Sequence, residues 1–241
     1  VNIKVSEGIE PLLRRPLSIH KIGLRSPVPG PGSKKDKEIV MLYEALGKGT
    51  EILSRKKEGE FLDVIGPLGN GFNLDRGPQT ADRRPILVAG GMGTAPLVFL
   101  AEKLARTMDG GRGTIVLIGS KTKDSILCEK EFKELGCEVM VSTNDGSRGF
   151  KGYVSDLLKD ILRITNHEPR ITIYACGPKL LLKEISRISC EYNIPAQLSL
   201  ESHMACGIGA CMGCVIKTKD AFQYKRVCKE GPVFEAQEII W

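Results

Sequence analysis

Apolar and polar positions change rhythm twice along the chain. Over the first 80 residues the apolar positions come in short runs, at 2–5, 17–22, 39–43 and 61–65, separated by glycine, proline and charge. Such runs predict strands joined by turns, and their spacing predicts a small antiparallel barrel. Residues 77–84, with Pro78, Gln79, Thr80 and Asp82, read as a linker. From Pro85 onward short apolar runs at 86–88, 114–119, 138–142 and 170–175 alternate with helical periodicity at 95–108, 128–135, 154–163 and 179–192. Strands alternating with helices predict a parallel, doubly wound sheet. From residue 197 the pattern returns to short β runs. Three domains follow, over 1–79, 80–196 and 197–241, in an α+β multidomain chain.

The last segment carries the sharpest chemistry. Cys206, Cys211, Cys214 and Cys228 are spaced C-x4-C-x2-C-x13-C, the spacing of a plant-type [2Fe–2S] site. The first three lie in one glycine-rich loop over 206–214, which can wrap a cluster and turn backbone N–H groups toward its sulfurs. Runs at 215–218 and 222–227 predict a hairpin that brings Cys228 back to the loop. Zinc sites usually use two C-x2-C-like pairs, and only Cys211 and Cys214 form one here.

Composition narrows the class without naming it. A hydrophobic share of 41% with 27% charged residues describes a globular protein with a real core. The net charge of +6 is scattered and aromatics are few, which argues against nucleic acid as partner. The remaining cysteines, Cys128, Cys137, Cys176 and Cys190, lie scattered among periodic segments, as thiols in a reducing cytosol would. The longest uncharged run, 85–101, is broken by Gly90, Gly91, Gly93 and Pro96, so no membrane span is expected. The expectation is a soluble, cytoplasmic protein. The Pro- and Lys-rich stretch 26–37 reads as a solvated loop.

Upstream motifs fit nucleotide cofactors. Arg15-Pro16-Leu17-Ser18 can pair with a diphosphate and hydrogen-bond a flavin. Leu42-Tyr43-Glu44 follows, and Tyr43 is either a ring-stacking residue or part of the barrel core. Gly47-Lys48-Gly49-Thr50 opens a short helix and suits an anion. Residues 66–72 close the barrel with a glycine-rich turn. Gly90-Gly91-Met92-Gly93-Thr94 follows a strand and opens a helix, the setting in which a glycine turn binds a nucleotide. Cys176-Gly177-Pro178 ends the last parallel strand on the edge where α/β ligands bind.

In this order the motifs resemble the ferredoxin–NADP reductase superfamily. The cluster segment, Glu201-Ser202-His203-Met204-Ala205-Cys206 with Arg226-Val227-Cys228-Lys229-Glu230-Gly231-Pro232, resembles the electron-transfer subunits of NAD-dependent (type B) dihydroorotate dehydrogenases. The resemblance implies a flavin-binding antiparallel β-barrel, a doubly wound α/β nicotinamide domain, and a small C-terminal β-rich [2Fe–2S] domain. It implies FAD contacts at Arg15, Pro16, Leu17, Ser18, Leu42, Tyr43, Glu44, Gly49 and Thr50, those at Glu44 through backbone alone. NAD would meet Gly90, Gly91, Gly93, Thr94, Cys176, Gly177 and Pro178, and the four cysteines would be the metal ligands. His203 stands where the family commonly has arginine and is expected to act beside the cluster, not as a ligand. The family has about two strands ahead of the segment matching 1–5, so an N-terminally incomplete barrel with open edges is expected. The implied partner is an FMN-containing dihydroorotate dehydrogenase catalytic subunit, in a heterotetramer serving pyrimidine biosynthesis. A sister flavin and iron–sulfur subunit of a sulfhydrogenase or an NAD(P)H:ferredoxin oxidoreductase shares the upstream motifs. A zinc-holding assembly subunit is the rival from another class. Ser120-Lys121-Thr122-Lys123 leaves NAD against NADP open.

Overall fold

The computed structural model describes residues 1–6, 8, 10–24, 37–74, 84–107, 113–165 and 171–241. The expected linker (apart from Arg84) and the Pro- and Lys-rich loop (apart from Lys37) lie outside the described residues. The N-terminal part forms two small antiparallel sheets. In one, β1 (Asn2–Lys4) sits between β2 (Arg15–Pro16) and β5 (Asp63–Ile65); in the other, β3 (Lys21–Leu24) pairs with β4 (Lys37–Val40). The expected strand at 17–22 is present only from Lys21, where β3 begins; β2 ends before it, at Pro16. Among the described residues these strands leave open edges and do not close into a barrel. Ile3, Val5 and Leu53 are the buried core of this part, Leu53 coming from α1 (Lys48–Ser54).

The second part is a seven-stranded sheet in the order β14-β11-β10-β6-β7-β8-β9. Its parallel centre is β6 (Arg84–Gly90), β7 (Ile115–Ser120), β8 (Glu138–Thr143) and β10 (Ile171–Cys176), all predicted within two residues. Alternate residues of β6 point to opposite faces. Ile86 and Val88 join the core under α4 (Val154–Ile164) and α5 (Lys179–Tyr192), whereas Leu87 and Ala89 join the core under α2 (Thr94–Thr107) and α3 (Glu129–Glu134). Both faces of the sheet are thus covered, and each large apolar side chain buried there contributes about 1.5–3 kcal/mol. In α4, Val154, Leu158, Ile161 and Leu162 recur at helical spacing and are buried. Pro178 stands just before α5, and Asn193 ends it in the left-handed conformation, φ 52°.

Three strands extend the sheet beyond the expected set. β9 (Phe150–Lys151) adds a parallel edge beside β8. β11 (Ala196–Ser199) runs parallel to β10, and β14 (Val233–Glu235) returns antiparallel to β11. β11 begins at the expected 196/197 division, so the C-terminal segment is built onto the nicotinamide-type sheet. The predicted hairpin is present as β12 (Val215–Lys217) and β13 (Tyr224–Arg226), with Val215 opposite Arg226. No helix among the described residues is long and apolar enough to cross a membrane.

An ion-pair network ties α4 to α5. Glu184 Oε1 lies 2.8 Å from Arg187 Nη2 and 2.9 Å from Lys159 Nζ, and Glu184 Oε2 accepts from Arg187 Nε at 3.0 Å. The Arg187 guanidinium, then Lys159, hold the Glu184 carboxyl down at about 2. A depressed carboxyl pKa stabilises the fold above its unfolded value, and that gain is lost as pH falls through the folded value. Because the group is partly exposed, we expect Glu184→Gln to cost only about 1 kcal/mol at neutral pH. The difference from wild type should shrink as pH falls from 4.5 toward 2, read by urea titration across pH.

Candidate functional site

The cluster loop is shaped by its own amides. Ala210 N and Cys211 N donate to Cys206 Sγ at 3.3 and 3.4 Å, and Gly213 N donates to Cys211 Sγ at 3.4 Å. The hairpin then delivers the fourth thiol: Val227 N donates to Cys214 O at 3.0 Å and Cys228 N to Cys214 Sγ at 3.4 Å. The thiols face one another as two pairs, Cys206 with Cys211 and Cys214 with Cys228. The backbone amide of Ile208, joined by those of Cys211 and Ala210, pulls the Cys206 thiol down to about 6. Burial pushes Cys228 up to about 11. Four thiols brought together by one loop and one hairpin are a donor set that suits an iron–sulfur cluster.

Arg226 braces this loop against the hairpin. Its Nη1 donates to Gly209 O at 2.6 Å, its Nε donates to Glu230 Oε2 at 2.9 Å, and Nη2 pairs with Glu230 Oε1. The guanidinium holds the Glu230 carboxyl down at about 2. His203 lies three residues before the loop's first cysteine and is exposed.

Beside the loop is a cavity of about 380 Å³. Pro16, Leu17 and Ser18 line one side with Leu42, Tyr43, Glu44 and Thr50; Cys176 lines another, and Cys228 reaches it from the cluster segment. Arg15 lies just outside, folded over Gly49: a Cβ at Gly49 would sit 2.2 Å from Arg15 Nε, so only glycine leaves the guanidinium its place. Thr50 Oγ1 accepts from Leu46 N at 3.1 Å and Gly47 N at 3.2 Å, which fixes the turn into α1. Tyr43, left between stacking and core by the sequence, packs on the small N-terminal core and also lines the cavity.

The glycine turn and the Cys-Gly-Pro turn form one floor. Gly93 backs onto the end of β10, where a Cβ would lie 2.1 Å from the Cys176 carbonyl oxygen. Gly90 abuts Pro178 and Gly177, and Thr94 Oγ1 donates to Gly91 O at 3.0 Å. Met92 and Ala95 reach the cavity; Gly90, Gly91, Gly93, Thr94, Gly177 and Pro178 are not part of its wall. Burial pushes the Cys176 thiol up to about 12, so it stays protonated. Ser120 Oγ lies 2.7 Å from Ser125 Oγ at the end of β7, and Lys121 and Lys123 are exposed there.

Sequence reasoning missed part of this wall. Asn2, Ser199, Leu200 and Glu201 also line the cavity. Asn2 is buried in β1 and its Nδ2 donates to Cys206 O at 3.4 Å, linking the first strand to the cluster loop. A buried asparagine within a short strand was the available signal. Ser199 and Leu200 carried none, because their place follows from β11 joining the sheet.

The comparisons with known proteins agree with this geometry. Residues 201–240 match the iron–sulfur cluster binding domain of dihydroorotate dehydrogenase B, and residues 87–187 match the oxidoreductase NAD-binding domain. The dihydroorotate dehydrogenase B (NAD(+)) electron transfer subunit of Desulforamulus reducens is 40% identical over 243 residues, covering 100% of this chain and 85% of that protein. The corresponding subunit of Geobacillus sp. (strain WCH70) is 42% identical over 246 residues, covering 100% and 85%. Among solved structures, an NADH-dependent reduced ferredoxin–NADP oxidoreductase studied for flavin-based electron bifurcation superposes with a TM-score of 0.73 at 30% identity, covering 100% of this chain and 78% of that one. With two curated subunits of one kind matched end to end at about 40% identity, and the cluster segment matching the same enzyme, the chain belongs to the family of electron transfer subunits of NAD-dependent dihydroorotate dehydrogenase B.

Proposed function

We propose that the cavity holds FAD, that Cys206, Cys211, Cys214 and Cys228 hold a [2Fe–2S] cluster, and that together they connect an FMN-containing, dihydroorotate-oxidising partner subunit to NAD+. The shared wall carries this reading: Ser18, Tyr43, Cys176 and Cys228 bound one cavity. A flavin there has a cluster ligand on one side and the expected nicotinamide turn on the other. When bound, such a cluster passes single electrons and a flavin exchanges two with a nicotinamide, so the pair joins one-electron to two-electron chemistry. The flavin-based chemistry of the 30% identical structure supports the assignment.

The chain's own residues bind and orient. Arg15, seated over Gly49, is the diphosphate partner, and its planar fork suits two phosphate oxygens. Leu42 to Glu44 offer backbone groups along the cavity, and Ser18 offers a hydroxyl. Cys176, kept neutral by burial, is a small apolar wall for the nicotinamide and not a nucleophile. Ile208, Met212, Phe222 and Tyr224 are exposed around the cluster loop and hairpin. We assign this apolar face to the partner subunit, since it brings the partner to the most exposed ligands. Residues 1–79, 80–196 and 197–241 then serve flavin, nicotinamide and cluster, with β11 and β14 bridging the last two.

Three measurements test this. The purified chain should show a flavin and iron–sulfur spectrum and reduce a dye with NADH, yet form no orotate from dihydroorotate; orotate formation by the chain alone would overturn the division of labour. Cys228→Ser should lose iron and abolish dihydroorotate-to-NAD+ transfer in the complex while NADH-to-dye reduction persists. A variant complex with full transfer would remove the cluster from the route. Ile208→Asp should weaken association with the partner at least about tenfold, near 1.4 kcal/mol, by titration on a sensor surface; unchanged affinity would place the interface elsewhere.

A further inference from the structure

One cluster of ligating side chains lies outside the cavity and outside the cysteine quartet. His20, between β2 and β3, is only 5% exposed. Its Nδ1 is 3.0 Å from the Ala95 carbonyl oxygen, which carries no proton, so Nδ1 is the donor. In a neutral imidazole the other nitrogen, Nε2, is then an acceptor. Nε2 lies 2.9 Å from Glu131 Oε2, a second acceptor. That oxygen is buried and makes no hydrogen bond of proper geometry, although Lys21 Nζ is 3.1 Å away. Two acceptors in contact need a cation between them. The Cys128 sulfur completes the group, all three ligand atoms lying within 4.8 Å of one another. Cys128 holds φ 60°, a left-handed conformation uncommon for a residue with a Cβ and often found at functional sites.

We propose that His20, Cys128 and Glu131 form a site for a divalent transition metal, zinc in the first instance. Nitrogen, thiolate and carboxylate donors suit zinc, and three protein ligands leave a fourth position for water. A backbone carbonyl behind the ring is the usual device that fixes the tautomer of a metal-bound histidine. Binding sends the Cys128 thiol proton to solvent and moves the Lys21 ammonium off Oε2. The side chains of Lys21 and Glu131 are 35% and 33% exposed, which gives the ion an entrance. His20 lies two residues past Ser18, the end of the Arg15–Ser18 segment, and Ala95 follows the glycine turn. A metal here would therefore lock the flavin-side segment to the nicotinamide-side helix.

The test uses the complete chain carrying its flavin and iron. It is equilibrated with Zn2+, freed of unbound metal by gel filtration, and assayed for zinc and iron by mass spectrometry, with affinity from competition against a chromophoric chelator. The expected result is one zinc per chain with iron unchanged. His20→Gln and Cys128→Ser should each weaken zinc binding at least about tenfold. Lys21→Met, which removes a competing charge and no ligand, should tighten it severalfold. Zinc uptake equal in wild type, His20→Gln and Cys128→Ser overturns the site. Absence of zinc from both the wild type and Lys21→Met overturns it as well and leaves a protonated His20 paired with Glu131.

Discussion

The return of β14 to the edge of the seven-stranded sheet is the constraint on which the site depends. Leu198 faces Phe234 and Ser199 faces Val233 across an antiparallel ladder, and Leu200 N continues it to Pro232 O at 2.8 Å. This ladder fixes the segment just after Cys228 against the strand that follows Cys176 by one crossover. Asn70 adds the third party. Its Nδ2 donates to Lys229 O and Glu230 O at 3.0 and 3.1 Å, and its amide donates to Gly231 O at 2.6 Å. The N-terminal sheets, the α/β sheet and the cluster hairpin therefore meet at one short stretch of backbone. In the reading proposed above, the separation between the bound groups, on which electron transfer depends, is set by these hydrogen bonds.

Burial within the quartet runs in one direction. Cys214 and Cys228 are buried, Cys206 is half-buried and Cys211 is exposed. The buried pair lies toward the cavity, which Cys228 lines, and the open pair lies among exposed apolar residues. The amides that converge on Cys206 favour its thiolate, while the inner thiols sit in a drier place. The protein thus gives the two ends of the quartet different electrostatic surroundings, which is how outer groups tune a metal centre.

What the sequence made legible follows from range. The helices 94–107 and 179–192 and the central strands were readable because their signals are local: periodic apolar positions, a proline before one helix and an asparagine after it. The cysteine loop was readable for the same reason, with three ligands inside nine residues. β9 and β14 were not, being two and three residues long with pairing partners elsewhere in the chain. β11 read as an ordinary short run, and nothing in Ala196 to Ser199 says that it is a sixth parallel strand. The cavity wall shows the same limit: Ser18 and Cys176 announced themselves through motifs, while Asn2 and Leu200 are there because of tertiary pairing. The His20, Cys128 and Glu131 group has no sequence signature, since 108 positions separate its first two members.

The order of the C-terminal elements has a bearing on synthesis. Cys228 is the last ligand to leave the ribosome, and β14 follows it within seven residues. Until then β11 is paired on one side only, as the outer strand of a largely finished sheet, and open edges invite association between nascent chains. A chain that stops short of Cys228 lacks both the fourth thiol and the strand that covers β11. A product of incomplete translation therefore fails at two tasks at once, completing the four-thiol site and covering that edge.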